Sequence, residues 1–576
     1  MLVTRIDEMV KLVQKKKQVD FKQISEELSW NENSVEKISL ILEKAGLAET
    51  YYPIDMVRRP RISIREVADE EKKMDGGGKL AEKYELEVPG KKTKGKVTII
   101  TSEMEKRPIY LIDLARVSPY TRAYLEYVKE KAVKTLSLEL LVRGKKDIAK
   151  RYDERFGVVS DIIKKDLESD EETLETLADI VINEMFGLGD LEALVGDSKL
   201  EEVIINSSRV PVSVYHRKYG WMKTNIWIKN EIETENYAAQ IARKVGRQIS
   251  LLNPILDARL ATGDRTNATL FPISTHGNTL TLRLFSKIPW TMVTFLKKEH
   301  NTMTKDMAAL LWQAMHYEMN VMIAGGTASG KTSALNSLLS LIQPHQRVVT
   351  IEDTRELSLP SYQWNWVPLV TRQPNPEGYG EVTMLDLVVN ALRMRPDRIV
   401  MGEIRRKREA EVLFEAMHTG HSVYSTLHAD TGPQVIKRLI EPPIEVPASE
   451  VEDIHLLVVQ YRDRRKNIRR TLEISEVVPG VGKPELNRVY NWKARTDTFE
   501  MVKTPRRYIE QMNLHTGMTE KEIKDDQQDK ARILEWMVKN KLETVEDVGK
   551  VMQIYYSDPG RIVKGAEKGT APSKVL

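Results

Sequence analysis

The sequence predicts an α/β protein, and three observations carry that prediction. From about Thr304 to Val478, apolar strand-like runs alternate with helical patterns, as in a parallel sheet with crossover helices. Within that stretch, Gly325 to Thr332 fits G-x-x-x-x-G-K-[ST] between an apolar run and a helix-like run. Upstream, strands and amphipathic helices mix less regularly up to about residue 297, which reads as an α+β domain.

Composition narrows the class. A chain of 576 residues implies about four domains. Lys+Arg 88 against Asp+Glu 84 leaves +4, which excludes a polybasic nucleic-acid coat and an acidic solvating chain. At 41% hydrophobic residues the chain can build real cores. With no cysteine, disulfides, Cys-ligated zinc, iron–sulfur clusters and thiol catalysis are excluded. No charge-free stretch offers the ~20 apolar residues that span a bilayer. The start, MLVTRIDEMVKLVQKKK, lacks an apolar core with a small-residue cleavage site. The expectation is a soluble, intracellular, multidomain protein.

Taken in order, residues 1–62 read as a winged-helix-like domain. Ile6, Met9, Val10 and Val13 recur at helical spacing. Phe21, Ile24 and Leu28 mark a second helix. Asn33 or Ser34 can cap a third, with Val35, Ile38, Ile41 and Leu42 inside it and Gly46 ending it. Leu47–Tyr52 reads as a strand. Such a module either binds DNA or docks protein. The third helix, SVEKISLILEKAG, has balanced charge, which favours docking. Arg58, Arg59 and Arg61 fit a wing or a solvated linker. Residues 63–96, with the run DEEKKMDGGGK, read as a linker. Residues 97–297 form the α+β domain, with an apolar run at Leu136–Val142 and strands at Val203–Asn206, Val212–Tyr215 and Thr279–Phe285. Residues 298–500 form the α/β domain, and 501–576 a polar helical tail.

The strongest motif is Gly325, Gly326, Thr327, Ala328, Ser329, Gly330, Lys331 and Thr332. The glycines let backbone N–H groups curl around phosphate oxygens, and the following helix N-terminus adds partial positive charge. Lys331 would reach the β- and γ-phosphates, and the Thr332 hydroxyl would ligate Mg²⁺. A nucleoside-triphosphate site is implied; what its chemistry drives is not.

Four further segments bear on the site. The strand Arg347–Ile351 ends in Glu352 and Asp353, with Glu356 close behind. Acids there would sit on the ligand edge of a parallel sheet; Asp353 or Thr354 could equally N-cap a helix. The short strand Ile399–Met401 ends in Gly402 and Glu403, so the usual magnesium-binding Asp is absent and Glu403 is left to polarise water. Asp353 could then assist with Mg²⁺. His421 and His428 flank a strand in Thr419–Ala429. They could ligate a metal, report on the γ-phosphate or serve structure, and no third ligand is evident. Upstream, Arg259 and Arg265 flank Thr262-Gly263-Asp264, with Arg283 on a later strand. They fit phosphate contacts from a separate domain or subunit, or surface ion pairs.

Together these segments resemble the secretion-ATPase superfamily, whose members power type II and type IV secretion, type IV pili and the archaeal archaellum. The resemblance spans roughly residues 100 to 500. Gly325–Thr332 matches its Walker A box, Thr350–Leu357 its Asp box, Arg398–Arg405 its atypical Walker B box and Thr419–Ala429 its His box. It implies a RecA-like P-loop ATPase domain and Glu403 as catalytic carboxylate. Glu352, Asp353 and Glu356 would line the site, His428 would sense the γ-phosphate, and Arg259, Arg265 and Arg283 would complete the pocket. It further implies ATP and Mg²⁺, a homo-hexamer, a polytopic membrane platform protein as partner, and a cytoplasmic place at the inner face of the membrane. LGDLEALVGDSKLEEVIINSSRVPVSVYHRKYGWMKTNI and the tail look archaeal in form. Zero cysteine excludes the tetracysteine zinc module of bacterial type II members. The alternatives are a ring-forming DNA translocase and a scaffold with a vestigial site. DNA is not expected, and Lys331, Thr332 and Glu403 are intact.

Overall fold

The computed structural model describes residues 2–576 apart from 54–58, 66–77, 88–93, 102–106, 137–147, 261, 286–288, 375–377, 464 and 467. Arg58, Val67–Gly77 and most of the Leu136–Val142 run therefore lie outside the described residues. The chain divides into two compact units, Met1–Phe285 and Ser286–Leu576.

The first unit begins with helices Arg5–Lys16, Phe21–Leu28 and Glu32–Lys44 against strands β1 (Val19–Asp20), β2 (Ala48–Tyr51) and β3 (Arg61–Ile64), in sheet order β1-β3-β2. This is the winged-helix-like arrangement. The third helix is capped by Asn31, two residues earlier than the sequence suggests, because Asn31 Oδ1 accepts from Asn33 N. Ile6, Met9, Val13, Phe21, Ile24, Val35, Ile38 and Leu42 are buried. Their core is not private to the module. It is continuous with apolar residues of helices Pro119–Thr135, Ile148–Asp166 and Glu171–Phe186. Trp30 Nε1 donates to the Asp166 carbonyl (3.2 Å), and Lys37 pairs with the Asp166 carboxylate (2.5 Å).

The rest of this unit is a nine-stranded sheet in the order β10-β11-β12-β7-β8-β9-β6-β5-β4. Its strands are β4 (Lys79–Glu87), β5 (Lys94–Thr101), β6 (Pro108–Asp113), β7 (Leu200–Ile205), β8 (Ser213–His216), β9 (Gly220–Thr224), β10 (Ile255–Arg259), β11 (Arg265–Thr269) and β12 (Thr279–Arg283). Strands β4 and β5 occupy much of the segment that reads as a linker. β4 is an edge strand, and edges carry charge to prevent further pairing. That charge hid the strand: Glu82 accepts from Lys199 Nζ (2.6 Å) and Tyr219 OH (3.0 Å), while Leu86 is buried.

The second unit holds the other nine-stranded sheet, β15-β14-β16-β17-β13-β18-β19-β20-β21. Its strands are β13 (Val321–Gly325), β14 (Val348–Glu352), β15 (Trp366–Val370), β16 (Arg398–Met401), β17 (Ser422–Leu427), β18 (Leu456–Asp463), β19 (Ile468–Val478), β20 (Glu485–Lys493) and β21 (Thr498–Met501). Neighbours from β15 through to β18 are parallel, and those from β18 to β21 antiparallel. Every residue of β13, β14, β16 and β17 is buried, as expected of parallel strands covered on both faces. One face packs Met322, Ile351, Ile399 and Val423 against helices Met384–Ala391, Lys407–His418 and Gly432–Ile440. The other packs Val321, Ile323, Val400 and Val458 against helices Lys305–His316 and Lys331–Leu339.

The C-terminal helices belong to that second face. Tyr508, Met512, Leu534, Trp536, Val551 and Met552 share the core that holds Leu335 and Leu338 of the helix after Gly330. Residues 501–576 are thus part of the α/β unit rather than an appended tail. Helix Met292–Leu296, before the 297/298 boundary read from sequence, also sits in this unit: Thr291 Oγ1 donates to the Glu543 carbonyl (2.9 Å).

Candidate nucleotide site

Four parallel strands end along one edge of the second sheet. Register fixes this: Ala324 pairs with Leu427, Ile351 with Met401, and Met401 with Ser425. The residues that follow are therefore neighbours in space although far apart in sequence. They are the Gly325–Thr332 loop after β13, Glu352 and Asp353 at the end of β14, Gly402 and Glu403 after β16, and His428 after β17. The C-terminal edge of a parallel sheet is where ligands bind.

The loop has the geometry its sequence requires. Gly325 passes so close to β18 that a Cβ would lie 2.4 Å from the Gln460 carbonyl oxygen, so no side chain fits. Gly330 has φ +95° and serves as N-cap of helix Lys331–Leu339 with no side-chain cap bond. The first N–H groups of that helix are thus left for an external acceptor. Ser329 Oγ donates to the Gly326 carbonyl (2.9 Å) and tightens the loop. Lys331 Nζ donates to the Gly325 and Gly326 carbonyls (2.9 and 3.0 Å). Burial pulls its ammonium below the usual lysine range, while Glu403, Asp430 and Glu356 oppose that shift. A phosphate bound in the loop would likewise favour the charged ammonium.

Glu352 is 3% exposed. Its Oε1 accepts from Glu356 N (2.8 Å) and Leu357 N (3.0 Å), whereas Oε2 is buried with no partner. Burial pushes its carboxyl up to about 7, against those two N–H groups. The Thr354 hydroxyl is likewise buried without a partner. No helix follows, so the capping reading of Asp353 and Thr354 falls; Glu352 itself closes the turn. Asp353 accepts from Thr371 Oγ1 (3.2 Å) and pairs with Arg405. Glu356 is half-buried.

Glu403 is placed by its backbone neighbours. Gly402 N donates to the Ile351 carbonyl (2.8 Å), Thr426 Oγ1 to the Gly402 carbonyl (2.6 Å), and Ile404 N to the Thr426 carbonyl (2.9 Å). His428 is half-buried, and burial together with the Lys331 charge lowers its pKa. Both effects favour the neutral ring.

Not every residue named from sequence joins this group. His421 precedes β17 while His428 follows it. Six strand residues at ~3.3 Å each separate the two by about 20 Å. The His421 ring lies beside Thr419 Oγ1 (3.1 Å) and the Ala416 carbonyl (3.2 Å), at the end of helix Lys407–His418. The strand between the two histidines rules out a shared metal. Among the described residues no group of three or more His, Asp or Glu could hold a metal ion. An Mg²⁺ here would rest on Thr332, phosphate and water. The unpartnered Glu352 oxygen is the right hard donor at the same edge.

Arg259, Arg265 and Arg283 belong to the first unit. There they form one cross-strand row: Arg259 pairs with Arg265, Arg265 with Arg283, and Arg283 with Glu202.

Some site residues escaped the sequence reading. Arg405 bridges two carboxylates, Asp430 Oδ1 crowds Gly326, and Arg469 Nε donates to the Ala328 carbonyl (3.2 Å). Arg405 was within reach, two residues after Glu403. Arg469 lies in an ordinary basic stretch of β19 and gave no signal.

Residues 206–543 match the family model described as "Type II/IV secretion system protein". An uncharacterised protein of Methanocaldococcus jannaschii is 33% identical over 66% of this chain and 69% of its own length. Another from that archaeon is 36% identical over 68% of this chain and 52% of its own. Among solved structures, the VirB11 ATPase of the Brucella suis type IV secretion system aligns with a TM-score of 0.26 at 24% identity, over 50% of this chain and 93% of that one. With more than half of its length matched, the chain belongs to the type II/IV secretion system protein family.

Proposed function

We propose that this chain is an ATP-hydrolysing motor that drives assembly or secretion of a pilus-like, archaellum or type II filament. The observation that carries the reading is the meeting of Lys331, Glu352, Glu403 and His428 on one sheet edge beside an uncapped helix N-terminus. On binding ATP, Lys331 exchanges its loop carbonyls for phosphate oxygens. Thr332, with Glu352 or Asp353 nearby, would hold Mg²⁺, which would neutralise phosphate charge. Glu403 orients and polarises the attacking water, and His428 reads the γ-phosphate. Arg259, Arg265 and Arg283 supply positive charge to the triphosphate.

The working form is a homo-hexamer that acts on a polytopic platform protein from the cytoplasmic face of the membrane. Among the described residues no helix is long and apolar enough to cross a membrane. The N-terminal module supports docking over DNA reading. Lys37 and Lys44 of its third helix face Asp166 and Glu130, which leaves little positive charge for a duplex.

Steady-state turnover by the full-length chain tests this. Glu403→Gln should lower kcat by about 10²-fold or more with nucleotide binding retained. Lys331→Ala should abolish binding. Full turnover by Glu403→Gln would sink the assignment. Stimulation by DNA with a steep salt dependence would favour the translocase.

A further inference from the structure

We infer that Arg405 is the positioning residue for the water-activating carboxylate, holding one oxygen of Glu403 so that the other is presented to water. The inference rests on the reading of Glu403 given above.

Arg405 Nε and Nη2 both donate to the same oxygen, Glu403 Oε2, at 3.0 and 2.8 Å. Nη1 is turned the other way and pairs with Asp353 Oδ2. One guanidinium thus spans the Walker B and Asp box segments. Its two carboxylates follow adjacent parallel strands whose ends are in register, Ile351 with Met401. Carboxylates so close repel each other, and a cation between them removes the repulsion. The fork does more than neutralise. The Glu403 backbone is already held through Gly402 and Ile404, so its remaining freedom is in the side-chain torsions. Two donors on Oε2 remove that freedom and leave Oε1 outside the fork. A planar guanidinium can donate in these two directions at once; an ammonium cannot hold the same geometry.

Magnitude separates this role from folding. The Arg405 side chain is 52% exposed, and ion pairs with exposed partners contribute little to stability. A tilt of the catalytic carboxylate, in contrast, acts directly on the chemical step.

The test uses the full-length chain with Arg405→Ala and Arg405→Lys, measuring kcat, KM and the affinity of a fluorescent ATP analogue. The expected result is a fall in kcat of about 10- to 100-fold, with KM and analogue affinity within about threefold of wild type. Guanidinium ion added to Arg405→Ala should restore part of kcat, and Arg405→Lys should recover little. In a Glu403→Gln background, Arg405→Ala should cause no further loss. A kcat for Arg405→Ala within twofold of wild type overturns the inference, as does a loss that appears only in KM or persists in the Glu403→Gln background. If Glu403→Gln itself keeps full turnover, the reading of the site fails and this inference falls with it. If Glu403→Gln is inactive and Arg405→Ala is not, the inference alone fails.

Discussion

Arg265 on β11 stands directly opposite Arg283 on β12, and on its other side it faces Arg259 on β10. Opposed residues in an antiparallel pair sit about 5 Å apart, and like charges there are destabilising. Glu202 at the end of the row offsets part of the charge, and Arg283 in turn holds down a carboxyl that burial raises. A row of arginines kept against its own repulsion is suited to meeting a polyanion.

That repulsion separates function from stability. Arg265→Ala removes the middle charge of the row. It should lower kcat/KM for ATP by about tenfold or more. The melting temperature should move little, because the loss of a like-charge neighbour offsets the contacts that Arg265 gives up. Turnover and thermal melting on one preparation check both. Unchanged turnover would place the row outside the catalytic cycle.

Glu352 makes stability depend on pH. Its carboxyl is raised from 4.5 to about 7 in the folded chain. Between those values the folded state binds more protons than the unfolded one, so stability is greatest below about 4.5 and declines as pH rises toward 7. Glu352→Gln should therefore melt higher than wild type at pH 8 and much like it near pH 4.5. Mg·ATP favours the ionised form, so its binding at pH 7 should release protons from wild type and fewer from the variant. Calorimetry in buffers of different ionisation enthalpy reads this directly.

Lys530 ties the C-terminal helices to the nucleotide unit. Its side chain is fully buried and pairs with Asp526. Its Nζ also donates to Tyr555 OH (3.0 Å). Asp526 in turn accepts from Gln313 (2.7 Å), on the helix that leads into β13. Lys530→Ala leaves Asp526 without its cation and should cost about 3 kcal/mol or more in denaturant unfolding. Adding Asp526→Asn should recover part of the loss. Removal of everything after residue 505 should give an aggregating protein rather than a smaller ATPase, since Leu335 and Leu338 would lose their cover.

Legibility followed the range of the interactions. The glycine-rich loop was readable because its chemistry is local: a glycine crowded by a neighbouring strand, a second at φ +95° capping a helix, and a lysine one residue on. The N-terminal helices were readable for the same reason, since period and caps lie within a dozen residues. β4 was not, because an edge strand carries the charge pattern of a linker. His421 and His428 read from sequence as flanking a strand, and β17 holds them at its opposite ends.

The sequence by itself determined the α/β class, the phosphate loop, the acids after β14 and β16, and the family these features indicate. All of these are set by residue type and short spacing. Tertiary structure alone decided which distant segments share an edge or a core. It aligned Arg259, Arg265 and Arg283 in one row, brought Arg405 between Glu403 and Asp353, and merged residues 501–576 into the α/β core. Those outcomes depend on strand register and on which apolar faces find each other. No local pattern encodes either, because each outcome needs at least one partner that lies well beyond the next few residues along the chain.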